Sequence, residues 1–102
     1  MPEVRLLGQA MRNAVGAKRL ELPGGDVAEV LDEVARRGGP AMTTALFASP
    51  DQPDRARGEL HRDLRVLVNG RSILWLEGVD TKLEETDTVT LHHSGARGWP
   101  GG

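Results

Sequence analysis

The sequence predicts an α+β domain, in which one long amphipathic helix packs across one face of a mixed sheet of four to five strands. Three observations predict this class. Alternating strand patterns occur towards both ends of the chain, one clearly capped helix lies between them, and an Asn-Gly turn joins two of the later strands. A single amphipathic helix has one face to bury, and a sheet of this size provides the cover.

Length and composition indicate one globular domain. The 102 residues are 38% hydrophobic and 27% charged, which is typical of a chain with one modest core. The net charge of −2, with both signs scattered, argues against a nucleic-acid-binding protein, because such proteins present a basic face. No apolar run approaches a membrane span and the start does not resemble a signal peptide, so we expect a cytoplasmic protein.

The chain contains no cysteine. This excludes disulfides, iron–sulfur clusters, thiolate zinc sites and a cysteine nucleophile. Any sulfur chemistry must therefore use a group other than a side-chain thiol.

The first part of the chain predicts two strands. Residues 3–7 (EVRLL) and 18–22 (KRLEL) alternate apolar and polar side chains, as half-buried strands do. Between them, residues 8–17 contain a short helical turn closed by Gly16.

The long helix begins after Asp26, a good N-cap, and Glu29 three residues later completes a capping-box pattern. Residues 38–40 (GGP) end it, and residues 41–47 predict a shorter second helix with Met42, Leu46 and Phe47 inward. The apolar stripe of the long helix recurs at helical spacing and consists of Val27, Val30, Leu31 and Val34.

The segment 49–63 is rich in Pro, Asp, Arg and Gly. We interpret it as a long exposed loop with almost nothing to bury, and expect it to be the most mobile internal segment.

The last part of the chain predicts a hairpin and a final strand. Residues 64–68 form a strand, Asn69-Gly70 a type I′ turn, and residues 71–73 a short return strand. Residues 88–91 (TVTL) form the last strand, and the irregular stretch before it is anchored by Leu76, Val79 and Leu83. Residues 1–91 are therefore predicted as the domain and residues 92–102 as a flexible C-terminal tail.

The chain ends on Gly101-Gly102. ATP can convert a terminal carboxylate into an acyl-adenylate, provided that the last residues are slim enough to enter an active site. Glycine suits this, because it has no Cβ. A sulfur donor could then attack to leave a thiocarboxylate, or a lysine amine could attack to join the chain to another protein. The alternative is an inert tail.

The sequence resembles the MoaD/ThiS family of ubiquitin-like β-grasp sulfur carriers, and most closely the molybdopterin-synthase small-subunit type. The resemblance implies a β-grasp fold and adenylation of the Gly102 carboxylate by a partner adenylyltransferase, followed by thiocarboxylation and sulfur delivery to a biosynthetic enzyme. The matching stretches are VRLLG (4–8), GAKRLELPGGDVAEVLDEVARR (16–37), ALF (45–47), VLVNGRSI (66–73), LEGVDTKL (76–83), DTVTL (87–91) and the terminal Gly-Gly.

By this resemblance the chain is a protein co-substrate and not an enzyme. It is expected to bind no cofactor, because ATP is used by a partner adenylyltransferase similar to the ubiquitin-activating enzymes. The other expected partners are a sulfur donor and a sulfur-accepting enzyme. Neither a nucleic acid nor a membrane is expected as a partner. Molybdopterin synthesis is favoured, while thiamine, cysteine, thiolated tRNA and secondary metabolites stay open. The alternatives are a modifier conjugated to target lysines and a non-covalent β-grasp binding module.

The tail HHSGARGWPGG is longer and bulkier than the FPPVAGG-like tails of the molybdopterin type. We expect residues 94–100 to fit the partner's channel, with Arg97, Trp99 and Pro100 as partner contacts. Arg97 is expected to pair with acidic groups of the partner or with the adenylate phosphate; the alternative is that it only keeps the tail soluble.

Two further predictions concern the domain itself. Leu67 and Leu7 are predicted to form an apolar docking patch on the open sheet face, unless the 49–63 loop or the 41–47 helix covers it. His92 and His93 are adjacent on a strand end and should point to opposite faces, so no metal site is expected.

Overall fold

The computed structural model describes residues 1–94 and has a five-stranded mixed sheet covered on one face by helices. The strand order is β2-β1-β5-β3-β4, and the predicted α+β class is confirmed. The strands are β1 (Glu3–Leu7), β2 (Arg19–Glu21), β3 (Leu64–Val68), β4 (Arg71–Ser72) and β5 (Thr88–His93), and the helices are α1 (Gln9–Val15) and α2 (Val27–Leu46).

The last strand lies at the centre of the sheet. β5 pairs in parallel with β1, with Val89 opposite Val4, and antiparallel with β3, with Leu91 opposite Val66. The side chains of these four residues are buried beneath α2. Because side chains alternate along each strand, the neighbouring positions point to the open face of the sheet.

α2 begins as its sequence predicts. The Asp26 carboxylate accepts a hydrogen bond from the Glu29 N–H at 3.0 Å, and the Glu29 carboxylate accepts one from the Gly25 N–H at 2.6 Å. These bonds satisfy two N–H groups at the start of the helix. The predicted stripe is fully buried against the sheet: Val27, Val30, Leu31 and Val34.

The predicted helix end at residues 38–40 is a kink. Gly39 has φ 77° and ψ −164°, which are not helical, and the chain then resumes a helix that ends at Leu46. The second helix of the prediction is thus confirmed as the last part of α2. Its predicted inward residues are all buried: Met42, Leu46 and Phe47.

The prediction for segment 49–63 was wrong in one respect, because this segment packs against the domain. Ala56 is 3% exposed, and Leu60 forms a β-bridge with Phe47 at the end of α2. Arg55 and Arg57 form ion pairs with other elements. A few small contacts and ion pairs, rather than an apolar run, hold the segment in place.

The predicted hairpin turn is confirmed, since Asn69 and Gly70 have φ of 52° and 85°, as a type I′ turn requires. β4 is shorter than expected because Ile73 begins a 3₁₀ helix, Ile73–Trp75, which a second one, Gly78–Asp80, follows. Leu76, an expected anchor, is 36% exposed, whereas Val79 and Leu83 pack against the core.

None of the helices within residues 1–94 has the length and apolar character needed to cross a bilayer.

Candidate functional site at the end of the central strand

The site is the point where the chain leaves the sheet. β5 extends to His93, two residues beyond the predicted strand end, with His92 opposite Leu7 of β1 and His93 opposite Leu64 of β3. The predicted tail therefore begins inside the central strand. Its exit is flanked by the end of β1 and the beginning of β3.

Ser94 fixes this exit. Its backbone N–H and its hydroxyl both donate hydrogen bonds to the Asp63 carbonyl, at 2.8 and 3.0 Å. Asp63 directly precedes β3, so the residue from which the C-terminal sequence continues is attached to the neighbouring strand.

The predicted reactive and partner-contacting residues of the tail lie outside the described residues, and their roles stay predictions. They are Arg97, Trp99, Pro100, Gly101 and Gly102.

Leu7 and Leu67, the predicted docking residues, both lie on the open face. Leu7 is 41% exposed and Leu67 is half-buried. They flank β5 on opposite sides and are offset by one cross-strand row, because Leu7 pairs with His92 and Leu67 pairs with Thr90. The patch is therefore a diagonal across β5 rather than a pair of touching leucines.

Neither of the two elements that could have covered this face does so within residues 1–94. The segment 49–63 is attached to α2 through Arg55, which lies 3.0 Å from the Asp32 carboxylate, and the end of α2 packs on the opposite, buried side of the sheet. Neither element therefore keeps a partner from the open face.

Sequence reasoning missed two of the three residues that lie side by side across β1, β5 and β3 next to the exit. His92 is exposed and lies opposite Arg65 of β3 as well as Leu7, so the row next to the exit contains an apolar side chain, an imidazole and a guanidinium. Alternation along each strand could have placed these residues on one face. Which residues share a row depends on register, which alternation does not give.

The two adjacent histidines point to opposite faces, as predicted. His92 is exposed, whereas His93 is buried and its ring centroid lies 4.8 Å from that of His61. Within residues 1–94 there is no cluster of three or more His, Cys, Asp or Glu side chains that could hold a metal ion.

Comparison with known proteins gives structural matches only. No protein-family model matches the sequence, and none of the curated proteins matches it either. Among solved structures, the small archaeal modifier protein 1 (SAMP1) from Methanosarcina acetivorans is 28% identical, with a TM-score of 0.76 over 92% of each chain.

Two further structures match at lower identity. A chain of the BexX/CysO complex from Amycolatopsis orientalis is 22% identical, with a TM-score of 0.73 over 92% of this chain and 96% of its own length. The putative molybdopterin converting factor, subunit 1, from Pyrococcus furiosus is 22% identical, with a TM-score of 0.60 over 89% and 93%.

These matches share the arrangement described above and span nearly the whole length of both chains. The chain has the ubiquitin-like β-grasp fold, and its predicted resemblance to the MoaD/ThiS-type sulfur carriers and their ubiquitin-like relatives is confirmed.

Proposed function

We propose that this chain is a sulfur carrier whose Gly102 carboxylate is adenylated by a partner enzyme and then converted to a thiocarboxylate. The observation that carries the proposal is the exit of the chain from the central strand. β5 is the last element of residues 1–94, Ser94 is attached to Asp63 beside a sheet face that no helix of this part of the chain covers, and the sequence continues from there to Gly-Gly. The fold that the chain shares with the putative molybdopterin converting factor, subunit 1, is consistent with this assignment.

The chemistry needs only the terminal carboxylate from this chain. A Gly102 carboxylate oxygen attacks the α-phosphorus of ATP and pyrophosphate leaves, which gives an acyl-adenylate. Hydrosulfide delivered by a sulfur donor then attacks the carbonyl carbon, the bond from that carbon to the phosphate oxygen breaks, and AMP leaves with that electron pair. The new thioacid releases its proton to solvent. A thiocarboxylate remains on Gly102, and no carbon is oxidised or reduced.

The length of the C-terminal sequence is consistent with this role. Residues 95–102 can span at most about 26–29 Å when fully extended. That is enough for Gly102 to enter an active site while the open sheet face lies on the surface of the same partner. Gly101 and Gly102 offer no side chain to a narrow channel, and Arg97, Trp99 and Pro100 would contact its wall.

The proposed partners follow from the chemistry. An adenylyltransferase similar to the ubiquitin-activating enzymes binds the ATP and docks on Leu7 and Leu67, a second protein supplies the sulfur, and a biosynthetic enzyme accepts it. In this proposal the chain is a co-substrate that binds no cofactor itself. Molybdopterin synthesis is the favoured pathway, and thiamine, cysteine, tRNA thiolation or a secondary metabolite are the alternatives.

Adenylation can be tested by ATP–pyrophosphate exchange with the purified adenylyltransferases of the source organism. The proposal predicts exchange that depends on the carrier and disappears when Gly102 is deleted. The matched control is Arg37→Gln, an exposed helix residue far from the open face, which should support exchange like the wild type. Exchange that persists without Gly102, or that none of these enzymes supports, would refute the proposal.

A second candidate function is conjugation to other proteins, and the 28% identity with SAMP1, which is named as a modifier, favours it. The same acyl-adenylate would be attacked by a lysine amine, with loss of AMP and formation of an amide bond. Tryptic peptides whose lysine carries residues 98–102 (GWPGG), the remnant left by cleavage after Arg97, would support conjugation. Their absence under conditions that yield the thiocarboxylate would exclude it.

A further inference from the structure

An apolar groove lies along the outer edge of the sheet, beside β3. It has a volume of about 470 Å³ and separates the segment 58–62 from the two 3₁₀ helices. The apolar side chains that line it come from four different segments: Leu60, Leu64, Val66, Ile73, Leu74 and Val79.

Both walls of the groove are fixed by hydrogen bonds. On one side, Ala48 N–H donates to the Glu59 carbonyl at 3.1 Å and His61 N–H to the Leu46 carbonyl at 2.8 Å, which attaches the segment to the end of α2. On the other side, the Thr81 hydroxyl donates to the Gly78 carbonyl at 2.7 Å. The groove is therefore formed before any partner binds.

The floor of the groove is an edge of β3 that β4 leaves uncovered. β4 pairs only with Leu67 and Val68, so the residues Leu64–Val66 have no neighbouring strand on this side among the described residues. Leu64 already uses its outward backbone groups, because its N–H donates to the His61 carbonyl at 3.0 Å and its carbonyl accepts from Arg65, so the open part of this edge is Val66. An uncovered strand edge pairs readily with an extended peptide, whose alternate side chains then enter neighbouring pockets.

Two large apolar side chains of the first 3₁₀ helix are exposed: Leu74, which lines the groove, and Trp75, which follows it in the chain. Leu74 is 84% exposed and Trp75 is 86% exposed, although each follows the buried Ile73 in the same 3₁₀ helix. Tryptophan is among the residues that most often dominate binding energy at protein interfaces. The exposure of both residues leaves a substantial apolar area next to the groove without a partner in residues 1–94.

The charges at the rim indicate the chemistry of the occupant. Arg65 donates hydrogen bonds to the carbonyls of Arg62 and Leu64, at 2.8 and 3.2 Å, and neither Arg62 nor Arg65 forms an ion pair with a carboxylate within residues 1–94. Glu59 is the acidic residue of the lining. Two guanidinium groups without a carboxylate partner in residues 1–94 can donate hydrogen bonds to carboxylates of a partner.

We propose that this groove binds an extended segment of a partner protein, in which apolar residues alternate with acidic ones. The segment lies extended along the edge of β3 and pairs with the outward backbone groups of Val66. Its apolar side chains occupy the groove and pack on Leu74 and Trp75, and its carboxylates bind Arg62 and Arg65. This surface shares Arg65 with the open face but does not include Leu7 or Leu67, and it does not depend on the chemistry of Gly102.

The test uses the full-length, ¹⁵N-labelled protein and two synthetic peptides, acetyl-DVEVDLE-amide and the matched acetyl-KVKVKLK-amide. Titration with the acidic peptide should shift the amide signals of the groove residues, and the lysine peptide should bind about tenfold more weakly. Arg65→Glu should reverse this preference. Trp75→Ser, at an exposed position that leaves the core intact, should weaken binding of the acidic peptide about tenfold.

Several results would overturn the proposal. These are an absence of shifts at millimolar acidic peptide, equal binding of both peptides, or shifts confined to the open face. Groove signals that change with protein concentration would assign the groove to a second copy of this chain. Groove signals that change in a Trp99→Ser variant without peptide would assign it to the chain's own C-terminal residues. A failure here leaves ATP–pyrophosphate exchange unaffected, so the two proposals fail separately.

Discussion

The guanidinium of Arg57 lies 2.8 Å from the carboxylate of Asp26, the residue that caps α2. Its other terminal nitrogen lies 2.9 Å from Asp80 in the second 3₁₀ helix. Asp26 is 4% exposed, and its second oxygen accepts the Glu29 N–H. One arginine thus joins the segment 49–63 to the start of the long helix and to the connection before β5.

Replacing Arg57 by glutamine should lower the melting temperature, because it leaves the buried Asp26 carboxylate without its ionic partner. The matched control is Arg36→Gln, which breaks an ion pair with Glu33 made by a side chain that is 71% exposed. Exposed pairs of this kind contribute little. Thermal unfolding followed by circular dichroism measures both variants, and equal melting temperatures for the two would contradict this account.

The same carboxylate predicts a dependence of stability on pH. Burial raises the pKa of Asp26, but the Glu29 N–H, Arg57 and Lys82 outweigh this effect and hold the pKa below its ordinary value of 3.8. Near pH 3.8 the folded state therefore binds fewer protons than the unfolded state. The contribution of the ionised Asp26 to folding stability is complete above the ordinary pKa, and it is lost as the pH falls through the lower pKa of the folded state. The variant Asp26→Asn keeps an oxygen that can cap the helix but carries no charge. The difference in unfolding free energy between the wild type and this variant, measured by urea unfolding, should become smaller as the pH falls from about 5 to about 2. If the unfolding free energies of the wild type and Asp26→Asn differ by the same amount at every pH, the pH dependence does not come from Asp26.

Gly24 lies where a side chain cannot be accommodated. A Cβ at this position would be 2.6 Å from Cγ2 and 3.0 Å from the backbone nitrogen of the fully buried Val30. Gly24→Ala should therefore cost about 1–3 kcal/mol of unfolding free energy. Gly58→Ala is the control, since its Cβ would meet nothing closer than 3.9 Å. If chemical denaturation gives the same unfolding free energy for both variants, the start of α2 can shift to accommodate the added methyl group, and the prediction is wrong.

Asn69 connects the hairpin turn to β5. Its amide donates to the Asp87 carboxylate and accepts from the Thr88 N–H, both at 2.9 Å. The Glu84 N–H and this amide together lower the pKa of Asp87. Asn69→Ala should raise that pKa towards its ordinary value and cost about 1–2 kcal/mol, from lost hydrogen bonds and a positive φ.

Asn69→Gly separates the two effects, because glycine tolerates the φ of 52° but makes neither side-chain hydrogen bond. The rise in the pKa of Asp87, followed by NMR titration, should equal that of the alanine variant, while the loss of stability should be smaller. A pKa that stays unchanged in both variants would show that Asn69 does not hold this carboxylate.

The open face predicts how adenylation responds to mutation. Leu7→Arg and Leu67→Arg place charge on the predicted docking residues without entering the core. Each should raise the KM for the carrier about tenfold and leave kcat nearly unchanged, because the reacting atoms belong to Gly102. Arg37→Gln serves as the reference variant. Unchanged KM values in both leucine variants would show that the partner docks elsewhere.

Much of the fold could be predicted because the signals are local. The cap at Asp26, the apolar stripe that follows it and the Asn69-Gly70 turn each lie within a few residues, and all three are confirmed. The packing of segment 49–63 could not be predicted, because it depends on Arg57 reaching residues 31 positions before it and 23 after it.

The candidate site was predicted in part. Alternation placed Leu7 and Leu67 on one face, but their separation by β5 depends on cross-strand register. The extension of β5 to His93 was missed since histidines give no apolar signal, whereas pairing with β1 and β3 continues through them. The groove beside Leu74 and Trp75 brings together four segments, and no local pattern indicates such a meeting.

The most direct test of the central claim is the intact mass of the full-length protein, purified from its own host during sulfur-dependent growth, with the C-terminal peptide sequenced by mass spectrometry. The account predicts a fraction of molecules with the mass gain of one carboxylate oxygen replaced by sulfur, localised to Gly102 and absent when Gly102 is deleted. A protein that stays entirely unmodified, and that forms no adenylate with ATP and the host's adenylyltransferases, would contradict it.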